Sequence, residues 1–464
     1  MIVNKSMLKN AVYSIFKNKK LILLISLINI ISFGMLLCNN SYPKDMKNTI
    51  IKYYEKTNQF DVYLSANTGF NEGDVKTIKD LDFVKGVSLS KELKVKASIK
   101  NKDYNIKAIS IDPKRNLKSN DYINRLTLTT GKYPSTINEG LIDENLFNRN
   151  NLSLGDLVTL TVSDNNLLRA KKIKIVGTVK NNLHVDKEEK DDKENKNDIN
   201  NHYIYLEENN FTSKYNEMYI TIKDDNKYDI YSTGYEKMIS DKKDEILKVM
   251  NSIIKDRKKS SLTYLNNELE NQKNTLNSLY ELELPDESLS SDIEKINNEI
   301  NKINNKINTL NEDKLYSTVK VSSTNFREYK NDVNNTNKIL YIVSVIIFIL
   351  FLMLNVFLIC KLILKEKTEI KTLKALGYSN FNINIKYFLV ILISHLISFI
   401  VLILLLKKII PLILWMYYKK IYSIPFIQPS IEIWPVITLL LVNIAFIVLF
   451  TNLYFVYRKK KYVK

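Results

Sequence analysis

At 464 residues the chain exceeds a typical single soluble domain, so one large folded domain plus a part of a different kind is expected. A formal net charge of +18 would ordinarily suggest nucleic acid, but the basic residues cluster at the ends of apolar runs, where they report membrane orientation, so no nucleic-acid partner is expected. Cys38 and Cys360 both lie at the edges of apolar runs, and His184, His202 and His395 have no ligand spacing, which argues against a disulfide framework and against a metal site.

From the N-terminus, residues 1–20 carry Lys5, Lys9, Lys17, Lys19 and Lys20 and no acid, which under the positive-inside rule places them in the cytoplasm. Leu8, Val12, Ile15 and Phe16 share a helical face opposite the lysines. The segment reads either as an amphipathic helix in the cytoplasmic headgroup layer or as a solvated tail. Residues 21–38 then form the first of four runs without Asp, Glu, Lys or Arg; the others are 339–360, 387–406 and 434–457. Each is near the roughly 20 apolar residues that a helix needs to cross the hydrocarbon core. A soluble core would have to bury all four on every side, so four transmembrane helices are expected. Leu36 and Leu37 do not suit lipoprotein processing at Cys38, and no small-residue cleavage site follows, so the first run reads as an anchor.

Residues 39–337 are expected outside the membrane. Within them, 60–235 are expected to form a core domain, and 60–180 show short alternating β-like stretches such as Val158–Val162 and Ile173–Val179, separated by turn residues such as Gly155-Asp156. Residues 186–201 are almost wholly Asp, Lys, Glu and Asn and are expected to be a disordered loop. Residues 236–316 carry a heptad pattern. Ile293, Ile296, Ile300, Ile303, Ile307 and Leu310 form one seam, and Leu262, Leu265, Leu269, Leu276 and Leu279 form another, interrupted by Gln272. Pro285 separates them, which predicts an antiparallel coiled-coil hairpin inserted in the outer domain. It serves either as an extended structural arm or as a docking arm for an extracytoplasmic protein.

The loop 361–386 after the second run is again lysine-rich, with Lys361, Lys365, Lys367, Lys371 and Lys374, and the tail 458–464 is basic, so both are expected in the cytoplasm. Residues 407–433 are expected as an outer loop despite Lys407, Lys408, Lys419 and Lys420, because Ile409–Tyr418 is about half the length of a crossing. His395, inside the third run, reads as facing the helix bundle rather than as a proton relay. The resulting fold class is a membrane α-helical protein with four transmembrane helices, a large extracytoplasmic α+β domain and both termini cytoplasmic, in the plasma membrane.

Between the second and third runs lies Lys365-Glu366-Lys367-Thr368-Glu369-Ile370-Lys371-Thr372-Leu373-Lys374-Ala375-Leu376-Gly377-Tyr378-Ser379. Its spacing is helical from Glu366 to Leu376, and Gly377 is placed to cap the helix end. On this pattern the loop resembles that of FtsX-like ABC transporter permeases, in which E-x-x-x-I-x-x-L-K-A-L-G-Y/A-S leads into the third membrane helix; Ile385-Lys386-Tyr387 continues the likeness. One crossing, a large outer domain and then three crossings is similar to the MacB topology. Leu141-Ile142-Asp143, Leu154-Gly155-Asp156 and Ile175-Val176-Gly177-Thr178-Val179 look like the MacB-type outer core. The chain departs from the long permeases of the family in carrying one repeat, so the resemblance implies a second permease half, identical or not.

What the resemblance further implies is mechanotransmission by a dimer: a cytoplasmic ABC ATPase dimer moves a coupling helix comprising Glu366, Glu369, Ile370, Leu373, Lys374, Leu376, Gly377 and Tyr378. On this reading Glu366 and Glu369 pair with basic residues of the ATPase, while Leu373 and Leu376 fill an apolar groove. No Gly-x-x-x-x-Gly-Lys-Ser/Thr phosphate loop and no nucleophile–base arrangement is visible in the sequence. A non-catalytic subunit without cofactors is therefore expected. Export or extraction of a hydrophobic peptide, antibiotic or lipid, control of a cell-wall hydrolase through the coiled-coil arm, and sensing of peptide antibiotics remain as functions.

Overall fold

The computed structural model describes residues 5–114, 118–162, 164, 166–183, 185, 202–223, 228–280, 287–312, 314–430, 434, 437–438 and 440–450. The expected loop 186–201, Pro285 and the tail 458–464 lie outside the described residues. In chain order the helices are α1 (Lys5–Lys17), α2 (Lys19–Thr57), α3 (Glu72–Lys79), α4 (Glu144–Arg149), α5 (Thr233–Tyr280), α6 (Glu287–Glu312), α7 (Thr324–Lys365), α8 (Lys367–Ala375), α9 (Asn380–Ile421) and α10 (Leu440–Phe450). The chain divides into two compact units: Met1–Lys52 with Lys330–Lys420 and Phe426–Lys464, and Tyr53–Tyr329 with Ile421–Pro425.

The first unit is helical. Among the described residues, two helices, over Phe326–Lys365 and Phe381–Leu405, are long and apolar enough to cross a membrane, and α2 contains the uncharged run 21–38. The crossing expected over 434–457 falls largely outside the described residues, which hold the apolar helix α10. The unit's core takes one stripe from each long helix: Ile22, Ile25 and Ile28 of α2, Leu358, Leu362 and Ile363 of α7, Ile383, Tyr387 and Val390 of α9, and Ile447 of α10. On α2 and α9 these residues recur at spacings of three and four, which puts them on a single helical face.

Helix limits differ from the sequence expectation. α2 does not stop at Cys38 but continues through Pro43 to Thr57. α7 starts at Thr324, well before the apolar run at 339. The outer loop expected at 407–433 is helical as far as Ile421, so Lys407, Lys408, Lys419 and Lys420 belong to α9. At 42 residues, α7 and α9 are each about 63 Å long, about twice the hydrocarbon thickness. The polar stretches 39–57, 324–338 and 407–421 contain no glycine, so helices nucleated in the apolar runs extend through them.

The second unit is α+β and contains two sheets. The small one has the order β11-β1-β10-β2, all antiparallel, from β1 (Val62–Phe70), β2 (Val84–Ser90), β10 (Tyr215–Ile222) and β11 (Tyr316–Val319). The larger uses β3 (Glu92–Ile99), β4 (Lys102–Ile111), β5 (Thr127–Gly131), β6 (Glu139–Asp143), β7 (Leu157–Thr161), β8 (Lys172–Lys180) and β9 (Tyr203–Glu207) in the order β5-β8-β6-β9-β4-β3-β7. Because β7 pairs back onto β8, six of these strands close into a ring with β5 outside it. Val95, Ile106, Ile142, Val158, Leu160, Ile173 and Ile204 fill its interior, the inward set of alternating strands. Gly177 is required where β5 crosses β8, since a Cβ there would lie 2.8 Å from the Thr130 carbonyl oxygen.

α5 is one helix of 48 residues, longer than the hairpin arm expected from the heptad pattern, and only its later part pairs with α6. Its first half buries Tyr235, Ile239, Ile246, Met250 and Ile254 against the small sheet. Arg257 fastens it there, holding both Asp74 carboxylate oxygens at 2.6 and 2.8 Å. Only beyond that point does α6 pack alongside it. Lys258 donates to the Asn311 carbonyl at 2.9 Å, so the beginning of the paired stretch in α5 lies beside the end of α6. Leu265 and Ile303 are buried; Leu262, Leu269, Leu276, Leu279, Ile293, Ile296, Ile300, Ile307 and Leu310 are half-buried, as is Gln272.

Candidate functional site

Glu366 occupies the break between α7 and α8, and its carboxylate gathers groups from three other parts of the helical unit. One oxygen accepts from Ser14 of α1 and from Asn18, which joins α1 to α2, the latter at 2.7 Å. The other accepts from Lys386 at 2.7 Å and Tyr387 at 3.0 Å, both on α9. The side chains of Glu366 and Lys386 are 1% and 4% exposed, so this is a buried ion pair in which both carboxylate oxygens carry two hydrogen bonds. Such complete satisfaction is what makes a buried charge tolerable, and removing one partner would strand the other.

One turn further on, Glu369 is held by Lys17 of α1 and by Lys386 at 3.3 Å. Partial burial works against its charge, but the two ammonium groups prevail and hold its carboxyl below the usual range. The same contact raises Lys17. α8 then stops through a Schellman turn: the Tyr378 N–H bonds the Leu373 carbonyl, the Gly377 N–H bonds the Lys374 carbonyl, and Gly377 adopts φ +87°. A side chain at this φ would be strained, which is why glycine stands here. Two residues later the Ser379 hydroxyl accepts the Asn382 N–H at 3.2 Å and starts α9. Leu376-Gly377-Tyr378-Ser379 is thus a helix stop and a helix start placed back to back.

The two faces of α8 differ. Ile370, Leu373 and Tyr378 pack onto the core stripe, while Lys367, Lys371, Lys374 and Leu376 are exposed, Leu376 at 70%. This revises the sequence expectation for the partner-facing residues. Glu366 does not reach outward, because its carboxylate is consumed by α1 and α9. Leu373 is turned inward as well. The sequence reasoning missed Ser14, Asn18, Lys386 and Tyr387 as partners of Glu366. One signal was available: Glu366 is the first acid after the second apolar run, and Lys386 the last base before the third.

Deeper in the helical unit lies a second polar group. His395 bonds Asn443 at 3.0 Å and the Ile391 carbonyl at 2.8 Å, with Asn29 at 3.4 Å, and Asn355 donates to Asn29 at 2.9 Å. All four are buried, whereas Ile342, Ile346, Met353 and Phe357 of α7 are each more than half exposed. Among the described residues no cluster of His, Cys, Asp and Glu is arranged to hold a metal ion.

No family model and no curated protein matches the chain. It is similar to the solved extracellular domain of the noncanonic ABC-type transporter YknZ from Gram-positive bacteria, at 16% identity over 39% of this chain and 93% of that one, with a TM-score of 0.25. It is also similar to the periplasmic region of MacB from Actinobacillus actinomycetemcomitans, at 14% identity over 44% of this chain and 89% of that one, with a TM-score of 0.24.

Proposed function

We propose that this chain is the permease subunit of an ABC transporter, a non-catalytic membrane component that carries the work of a separate cytoplasmic ATPase to an outer α+β domain. Its cargo on this reading is a hydrophobic peptide, antibiotic or lipid that is exported or extracted. A second permease half, identical or not, completes the assembly. A membrane setting is supported by the inverted polarity of the helical unit, with Asn29, Asn355, His395 and Asn443 inside and large apolar side chains outside. In water that arrangement would expose a costly apolar surface; in lipid it costs nothing. The positive-inside rule then places α1, α8 and both termini in the cytoplasm.

The observation that carries the coupling role is the Glu366 junction. A short helix that merely rested on a lipid surface would have no need of a fully satisfied buried charge tying it to α1 and α9. With that tie, a push on α8 is delivered to both α7, with which it is continuous but for one residue, and α9. The face left for the ATPase is Leu376 amid Lys367, Lys371 and Lys374, which suits an apolar groove with an acidic rim. Leu376→Asp should leave the fold intact and weaken co-purification with the cognate ATPase more than about tenfold, the usual consequence of losing an apolar anchor. Unchanged co-purification and unchanged stimulation of ATP turnover would remove the coupling role. Control of a cell-wall hydrolase is the second reading, favoured by the projecting part of α5 with α6; retained binding of a hydrolase by the intact chain, lost on trimming α6, would select it.

A further inference from the structure

A cleft of about 520 Å³ opens beside the junction of α1 and α2, with α7 forming its other wall. Lys17, Lys19, Lys20, Lys361 and Lys365 line it, and no acidic residue does. Lys17 is engaged by Glu369. Among the described residues, the other four have no ion-pair partner, although Lys361 and Lys365 stand one helical turn apart in the last turns of α7. Like charges so close raise one another's energy, and an anion between them relieves that repulsion. The remaining lining is Asn18, whose amide donates to Glu366, and the apolar Leu21 and Leu24, which open the uncharged run of α2. From there Leu23, Leu24 and Leu27, at 70%, 42% and 49% exposure, continue an apolar surface away from the lysines.

A site with an anion-seeking end and an apolar track leading from it fits an amphiphile rather than a soluble ion. We propose that this cleft binds the headgroup phosphate of an anionic phospholipid, whose acyl chains lie along Leu24 and Leu27. The inference rests on the membrane reading above and deepens it. The lipid phosphate also competes with Glu369 for Lys17, so occupancy of the cleft bears on how tightly α1 holds α8.

The test uses the full chain in detergent, titrated with phosphatidylglycerol or phosphatidylcholine in mixed micelles, with bound lipid counted by native mass spectrometry. Phosphatidylglycerol should be retained in preference. The combined variant Lys19→Ala, Lys361→Ala, Lys365→Ala should lose that preference by about tenfold or more. A control that removes equal charge elsewhere, Lys85→Ala, Lys94→Ala, Lys172→Ala, should keep it. If the first variant melts below the parent, Lys361→Gln with Lys365→Gln replaces it and should show the same loss in smaller measure. Equal retention of phosphatidylcholine, or equal loss in the control, would overturn the assignment. So would displacement of the lipid by millimolar inorganic phosphate, which would mark a site for the free anion. Release of the chain from membranes by alkaline carbonate would overturn the membrane reading itself, whereas a chain that stays embedded and shows no headgroup preference overturns only the cleft.

Discussion

Asp61 and Lys320 meet at 2.7 Å with 1% and 5% of their side chains exposed, although they stand at opposite ends of the α+β unit's sequence. The Asp61 carboxylate also accepts from the Tyr235 hydroxyl at 3.0 Å and the Ile222 N–H at 2.8 Å. One side chain therefore gathers the start of β1, the end of β10, the turn after β11 and the first turn of α5. Asp61→Ala would leave the Lys320 ammonium buried without its counterion, at a cost of about 3–5 kcal/mol. The double variant Asp61→Leu, Lys320→Met should recover much of that loss. Circular dichroism melts of the full chain in detergent would check it: a double variant as unstable as the single one would mean that shape, not charge pairing, holds the knot.

Glu217 provides a pH dependence. Burial, reinforced by the nearby Glu92 carboxylate, pushes its carboxyl up to about 8. Ser65 donates to one of its oxygens at 3.1 Å. Because the folded pKa lies above the unfolded one, the native state holds the extra proton between roughly pH 4.5 and 8. The stability this contributes is fully present below that window and is lost as pH rises through it. The slope approaches about 1.4 kcal/mol per pH unit at most. Glu217→Gln should flatten that fall and raise stability at pH 8 relative to the parent. Parallel pH profiles for parent and variant in chemical denaturation would refute the assignment.

The pairing of α5 with α6 depends on one narrow seam. Ile303 is its most enclosed residue on α6, at 5% exposure, and Leu265 on α5, at 8%. Ile300→Asp with Ile303→Asp places two charges against apolar neighbours and should release α6. Hydrogen exchange should then speed up across Glu287–Glu312 by orders of magnitude while β1 and β10 keep their protection. Unaltered protection of α6 would show that the seam does not hold the pair.

Local patterns made part of this architecture legible in the sequence. The uncharged runs 21–38, 339–360 and 387–406 lie inside long helices because hydropathy needs no partner to be read. The end of α8 was equally readable, since Leu376-Gly377-Tyr378-Ser379 carries its own stop and start chemistry. Helix limits were not, because the polar residues after Cys38 and after Leu406 have no strong preference of their own and follow the helix they extend. The inward turn of Glu366 was hidden for another reason. Its partners Ser14 and Asn18 lie 352 and 348 residues away, and no window along the chain contains both sides of that contact. The parallel pairing of β4 with β9, which sets Lys107 opposite Tyr203, was beyond local reading in the same way.

The continuity of α5 sets a scale for motion. Its root lies on the small sheet, whose β1 follows α2 in the chain by only a few residues, and no hinge interrupts it between Thr233 and Tyr280. A rigid rod turns a small angular change at its base into a displacement proportional to its free length. The stretch paired with α6 is about 39 Å long, so a rocking of about 5° at the sheet sweeps the tip through about 3 Å. That is enough to exchange one set of side-chain contacts for another, so the far end of the rod has the largest stroke in the α+β unit while the strands at its root barely rearrange.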